Sequence, residues 1–300
     1  MSLRIVAAGE CMIEMAPSGQ PGQFTMNFAG DTFNTAWYLR KLLPEGFEVD
    51  YLSEIGMDSA SHKMRAFMAE AGIGLDYLRM RTDRTVGLYL IELEGAERHF
   101  SYWRGQSAAR CLAEDPERLA KAFGGAAMVY VSGITLAILD PAGRHNLLSS
   151  LAEVRMRGTT VVFDPNLRPR LWDSHEEMCA AVMSAAAHAD MVLPSFDDEA
   201  QFFGDTDPQA TAERYGGLGC GLVVVKNGPG IVTALHEGRI ATHAALPVSD
   251  AVDTTAAGDS FNAGFIAEWI QRGDLAAAVA RGCEVASKVI RKRGALVALD

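Results

Sequence analysis

Asp253-Thr254-Thr255-Ala256-Ala257-Gly258-Asp259, running on into Ser260-Phe261-Asn262-Ala263-Gly264-Phe265, is the stretch from which the rest of the chain is best read. Phe261, Phe265 and Trp269 recur every four residues, the spacing of a buried helical face. The small residues therefore precede a helix, where backbone N–H groups lack intrahelical acceptors and lie at the positive end of the dipole. Ala256, Ala257 and Gly258 carry too little bulk to keep an anion away, so this start suits phosphate oxygens. Asp259 would stand beside the anion, placed to take a proton from an attacking hydroxyl. Spacing alone also admits Asp259 as an ordinary capping residue.

Outward from that helix, short β-branched runs alternate with helical patterns. Ile5–Ala8, Met128–Ser132, Thr159–Asp164, Met191–Pro194 and Leu222–Lys226 read as buried strands. Pro141–Met156 reads as a helix capped by Asp140, with Leu147, Leu148, Leu151 and Val154 on one face. Such alternation predicts an α/β fold in three layers, a mainly parallel central sheet between helices. Val86–Leu93 and Arg98–Trp103 break the rhythm; Glu94-Gly95-Ala96-Glu97 between them signals a hairpin. With residues 11–28, which lack a helical period, residues 86–104 could form a small β-sheet projecting as a lid; an edge hairpin of the main sheet is the other reading. No linker or repeat divides the 300 residues, so one domain spanning 1–300 is expected.

Composition narrows the partners. The 27 basic and 38 acidic residues give a net charge of −11 without a basic run, which argues against nucleic acid or a membrane surface. Cys11, Cys111, Cys179, Cys220 and Cys283 are scattered and odd in number, as expected of free thiols in a reducing cytoplasm, and no signal-peptide pattern opens the chain. None of the seven histidines has metal-ligand spacing with another His or Cys.

Asp253–Asp259 resembles the C-terminal signature of the ribokinase-like (PfkB) carbohydrate kinases, whose usual form has Gly where Ala256 stands. The version with Ala is similar to that of the family's 2-keto-3-deoxygluconate kinases. The resemblance implies that Asp259 is the catalytic base and that Ala256, Ala257 and Gly258 form the anion hole. Phe28-Ala29-Gly30-Asp31-Thr32-Phe33-Asn34 resembles the sugar-binding segment, implying Gly30, Asp31 and Asn34, although Asp31 or Thr32 could equally cap a helix over Phe33–Leu43.

Phe100-Ser101-Tyr102-Trp103-Arg104 resembles the lid segment of the keto-deoxygluconate kinases. Strand alternation puts Tyr102 and Arg104 on one face, where Tyr89 could join them; an arginine with two phenols suits a hydroxylated carboxylate. Asp164-Pro165-Asn166-Leu167-Arg168-Pro169-Arg170 follows a buried strand, at the carboxyl edge where open α/β sheets bind ligands. There the resemblance implies Arg168 as a second carboxylate contact and Asn166 near the ATP phosphates; Arg170 reads as a surface charge. It also implies that Lys226 to Gly230 border the nucleotide, Gly228 and Gly230 above all, though a tight hairpin explains those glycines too. Ser195 and Asp198 occupy the place of the family's Asn-x-x-Glu motif, which makes Asp198 the candidate for Mg²⁺, through water, with Glu199 as competitor.

Together these segments imply a kinase using ATP and Mg²⁺, with room for a monovalent cation at the anion hole, acting on a small acid sugar and assembled as a homo-oligomer through the lid. Rival readings are a kinase of the same fold for fructose, ribose or the galactonate epimer, and a non-catalytic sugar sensor. A nicotinamide-dependent oxidoreductase lacks its Gly-x-Gly-x-x-Gly turn after the first strand.

Overall fold

The structure, a computed structural model, describes residues 3–20, 22–94 and 97–299. Strands β1 (Leu3–Ala8), β2 (Met12–Pro17) and β3 (Phe24–Ala29) lead into α1 (Asp31–Leu42), β4 (Phe47–Gly56), α2 (Ser59–Glu70), β5 (Leu78–Arg81), β6 (Leu88–Glu94) and β7 (Glu97–Trp103). There follow α3 (Pro116–Phe123), β8 (Met128–Ser132), α4 (Gly133–Ile138), α5 (Pro141–Met156), β9 (Thr160–Asp164), α6 (His175–Ala186) and β10 (Met191–Val192). The remainder comprises α7 (Phe196–Phe203), α8 (Pro208–Gly216), β11 (Leu222–Val225), β12 (Val232–His236), β13 (Arg239–His243), α9 (Ala257–Arg272) and α10 (Leu275–Val289).

Nine strands form the main sheet in the order β13-β12-β11-β10-β9-β8-β1-β4-β5. Pairing is parallel from β11 to β5 and antiparallel at β11–β12 and β12–β13. The strand period of two divides the apolar residues between two cores. Ile5, Ala7, Tyr130, Val162 and Val224 face a core completed by α1, α2, α9 and α10. Val6, Ala8, Val131, Phe163 and Val225 face the other, completed by α3, α5, α6 and α8. The expected three layers result. Helix α5 has the boundaries read from sequence, with the Asp140 carboxylate accepting from the Gly143 amide at 2.7 Å.

Two local expectations differ. Helix α1 begins at Asp31 rather than Phe33, and its N-cap is Gly30 with no side-chain capping bond, which leaves the Asp31 carboxylate for other partners. Strand β10 stops at Val192, and the Pro194 carbonyl instead accepts the Lys226 amide at 2.8 Å.

Four strands form a separate sheet in the order β3-β2-β6-β7, which is the lid expected from residues 11–28 and 86–104. The turn expected at Glu94-Gly95-Ala96-Glu97 includes Gly95 and Ala96, which lie outside the described residues. Register assigns the two faces: Tyr89 pairs with Tyr102 and Ile91 with Phe100 on one, while Met15 pairs with Met26 and Leu88 with Trp103 on the other. Chain order reverses at β1, which is flanked by β4 and β8, so the crevice at this switch point opens beneath the lid.

Candidate active site

Two adjoining cavities occupy the carboxyl edge of the main sheet. The larger, about 810 Å³, is walled by lid residues Tyr89, Tyr102 and Arg104, by Gly30, Asp31 and Asn34 at the start of α1, by Asn166 and Arg168 after β9, and by Thr254–Asp259. The smaller, about 440 Å³, is mostly apolar, with Val232, Leu246, Val248, Phe261, Ala286 and Ile290 in its wall and Asn227-Gly228-Pro229 at its rim. A flat aromatic base fits the second, and a polyhydroxylated anion the first.

Helix α9 supplies the floor between them. Its N-cap is Ala256, held at φ 59° with no side-chain cap, a left-handed conformation that costs a non-glycine residue about 1–2 kcal/mol. Asp253 braces that turn, its carboxylate accepting from the Thr255 amide at 2.9 Å and the Gly294 amide at 2.8 Å. Strain held by such bracing at the mouth of a helix is consistent with a binding function. Of the three residues expected to form the anion hole, Ala257 donates its amide to the Thr254 carbonyl at 3.1 Å. Gly258 follows at the second helical position, where no intrahelical acceptor exists.

Asp259 lies one residue further on, half-buried, and does not cap the helix. Its carboxylate accepts from Asn34 Nδ2 at 2.8 Å, and its carbonyl from the Thr35 hydroxyl at 3.3 Å, which joins α9 to α1. Burial, then the nearby Asp31 and Asp164 carboxylates, push its pKa up to about 8 against the opposing pull of Asn34 and Lys226. Asp31 itself is raised, mainly by burial, and accepts from Asn166 Nδ2 at 2.8 Å. Gly30 is required for close approach: a methyl there would meet the Glu10 carbonyl oxygen at 2.1 Å.

Arg104 is 9% exposed and paired with Glu10, which is 2% exposed; its Nε, also buried, finds no hydrogen-bond partner among the described residues. The buried Glu10 carboxylate holds that guanidinium where the residue borders the larger cavity. The Tyr89 hydroxyl donates to Glu14, so toward the cavity it offers its ring and a lone pair. Arg168 is looser, its side chain half exposed and 3.5 Å from Asp198.

Other residues sort by cavity. Ser195 and Lys226 line both, Gly228 lines the smaller, and Asn166 lies on the larger, beside Asp31. Gly230 borders neither; its amide closes a turn on the Asn227 carbonyl at 2.7 Å. Glu199 is removed as a competitor for metal, being wholly buried and bonded to Arg214 at 2.7 Å and to the Tyr215 hydroxyl at 3.0 Å. Asp198 faces the larger cavity. Sequence reading passed over Glu10, Asp164 and Asn262, none of which carries a motif of its own, and set aside Arg170, which does line the larger cavity.

A carboxylate beside a helix-start anion site, between a nucleotide-sized apolar cavity and a polar one, defines a phosphotransferase acting on a hydroxyl. Comparison with known proteins agrees. The profile of the pfkB family carbohydrate kinases matches residues 2–300. A 2-dehydro-3-deoxygluconokinase of Dickeya dadantii is 38% identical over 99% of this chain and 97% of that protein. Another, from Haemophilus influenzae, is 35% identical over 98% of this chain and 95% of its own length. The crystal structure of a PfkB protein from Polaromonas sp. JS666 superposes with a TM-score of 0.83 at 28% identity, covering 97% of this chain and 96% of that one. The chain belongs to the pfkB family of carbohydrate kinases.

Proposed function

We propose that this chain transfers the γ-phosphoryl group of ATP to the 6-hydroxyl of 2-keto-3-deoxygluconate. The observation that carries the reading is the placement of Arg104 and Arg168 in the same cavity as Asp259, so that a carboxylate held at one end leaves a hydroxyl at the other beside the base. The 2-dehydro-3-deoxygluconokinases among its relatives support the same substrate. ATP lies with its base in the apolar cavity and its phosphates toward Gly258. The sugar hydroxyl gives its proton to Asp259 as its oxygen attacks, and ADP departs.

Among the described residues no three His, Cys, Asp or Glu side chains cluster into a metal cage. Magnesium carried in on ATP needs none, since it keeps its waters and takes one or two carboxylates. Asp198 fits that need, facing the cavity with a 3.5 Å ion pair to Arg168. Bound there with ATP, the ion would screen the phosphate oxygens.

The reaction tests the reading directly. Incubation with ATP, Mg²⁺ and 2-keto-3-deoxygluconate should yield ADP and a sugar whose phosphorus couples to the C6 protons by NMR; ATP untouched would return the chain to the sensor reading. The state of Asp259 adds a pH signature. Only its ionised form accepts a proton, so with a pKa near 8 the ionised fraction, and with it kcat/KM for the sugar, should fall about tenfold per unit below that pH and level above it. A flat profile from pH 6 to 9 would remove Asp259 from the rate.

The outer lid face is also consistent with a homo-oligomer. Phe24 and Met26 are each 39% exposed and Trp103 60%, on the side turned from the cleft. Light scattering at micromolar concentration should give at least twice the 32.3 kDa chain mass, and Trp103→Glu should lower it. No helix among the described residues is long and apolar enough to cross a membrane, and all five cysteines are free.

A further inference from the structure

Five residues line both cavities: Ser195, Lys226, Thr254, Ala257 and Gly258. They mark the neck through which a phosphoryl group must pass from nucleotide to sugar. Lys226 is the one charged residue among them, and it is 8% exposed. A methyl built on Gly258 would lie 3.6 Å from its Nζ, which places the ammonium against the first turn of α9.

The ammonium is held but not saturated. Nζ donates to Asn262 Oδ1 at 3.0 Å, whereas Asp164 stands at 3.5 Å, an ion pair longer than an ordinary hydrogen bond. An ammonium has three donors, so with Asn262 taking one and Asp164 drawing another, at least one remains for the neck. Asn262 in turn is fixed, because its Nδ2 donates both to Asp164 Oδ2 at 2.8 Å and to the Tyr130 hydroxyl at 3.0 Å, leaving only Oδ1 for the lysine. This amide is buried on α9 about one turn beyond Gly258, and it aims the lysine at the helix start.

We infer that Lys226 is a catalytic residue that stabilises the phosphoryl group in flight, rather than only a border of the nucleotide site. In the transfer, the bond between the γ-phosphorus and its bridging oxygen breaks, its electron pair leaving on ADP. The new bond forms to the sugar oxygen, whose proton goes to Asp259. Lys226 gains and loses no proton; it meets the negative charge spread over the three equatorial oxygens. A positive group at the neck therefore binds the transition state more tightly than either bound substrate.

The inference rests on the kinase reading but not on which sugar is used, so the test employs whichever acceptor the wild type phosphorylates best. Should that be a neutral sugar, the substrate assignment falls and this test still decides. Lys226→Met should lower kcat by about 10²- to 10³-fold. The Kd for ATP, from equilibrium titration, should weaken by less than about tenfold, since binding to the ground state is the smaller effect. Lys226→Gln, whose amide can still donate to Asn262, should behave alike and covers the case in which the methionine variant misfolds. A kcat within about threefold of wild type in a folded variant, with or without weaker ATP binding, would assign Lys226 to uniform nucleotide binding and overturn the inference.

Discussion

Asp259→Asn is expected to lower kcat by about 10²- to 10⁴-fold, the range carried by a positioned general base. The isosteric amide fills the same space beside Asn34, so sugar affinity should change little. Stability should move the other way. A carboxyl whose pKa is raised on folding contributes most below its unfolded value and loses that contribution as pH rises through about 8. At pH 9 the native protein therefore carries an ionised Asp259 beside Asp31 and Asp164, and asparagine relieves that repulsion. An equal or higher Tm at pH 9 together with a collapsed kcat would separate chemistry from folding. A kcat near that of wild type would remove Asp259 as base.

Arg104→Ala should raise KM for a keto-deoxy acid by about 10- to 100-fold with kcat nearly unchanged, because a hydrogen bond to a charged group contributes about 1.5–3 kcal/mol. The same change strands Glu10, a buried carboxylate whose partner is gone, at a cost of about 3–5 kcal/mol of stability. The two effects can be told apart by adding Glu10→Gln. The double variant should recover much of the lost Tm but not the KM, since the donor to the substrate is still missing. Arg168, half exposed, should matter less than Arg104. An unchanged KM for the acid in Arg104→Ala would contradict the carboxylate assignment.

How much of this was readable beforehand depends on what carried the signal. Periodicity reported the layers well, because a strand buried on both faces has to be apolar throughout, as Leu222–Val225 is. Asp140 and Pro141 marked the start of α5 for reasons local to three residues. The lid was legible in part, since alternation places Tyr102 and Arg104 on one face, whereas the pairing of Tyr89 with Tyr102 depends on the hairpin register.

Long-range pairing was not legible. Glu10 reads as the end of a strand and Arg104 as a lid cation, and only the fold brings the two together. Asn262 looks like filler in a helix of small residues until β8, β9 and β11 deliver Tyr130, Asp164 and Lys226 around it. The choice between Asp198 and Glu199 turned on helix rotation: one step around α7 moves a carboxylate from the cleft to Arg214 in the interior. The capping alternatives for Asp31 and Asp259 failed for a shared reason, as both helices begin on a residue with no side-chain cap and leave the carboxylates to the cleft.

Steady-state specificity most directly tests whether one cleft joins an acid-sugar clamp to a phosphoryl-transfer base. Coupled ATP consumption by the purified chain, measured with 2-keto-3-deoxygluconate, its galactonate epimer, fructose and ribose, should give kcat/KM for the keto-deoxy acids at least about 10²-fold above either neutral sugar, the margin expected when a charged clamp is left unpaired. A neutral sugar turned over as efficiently as the acid would contradict it.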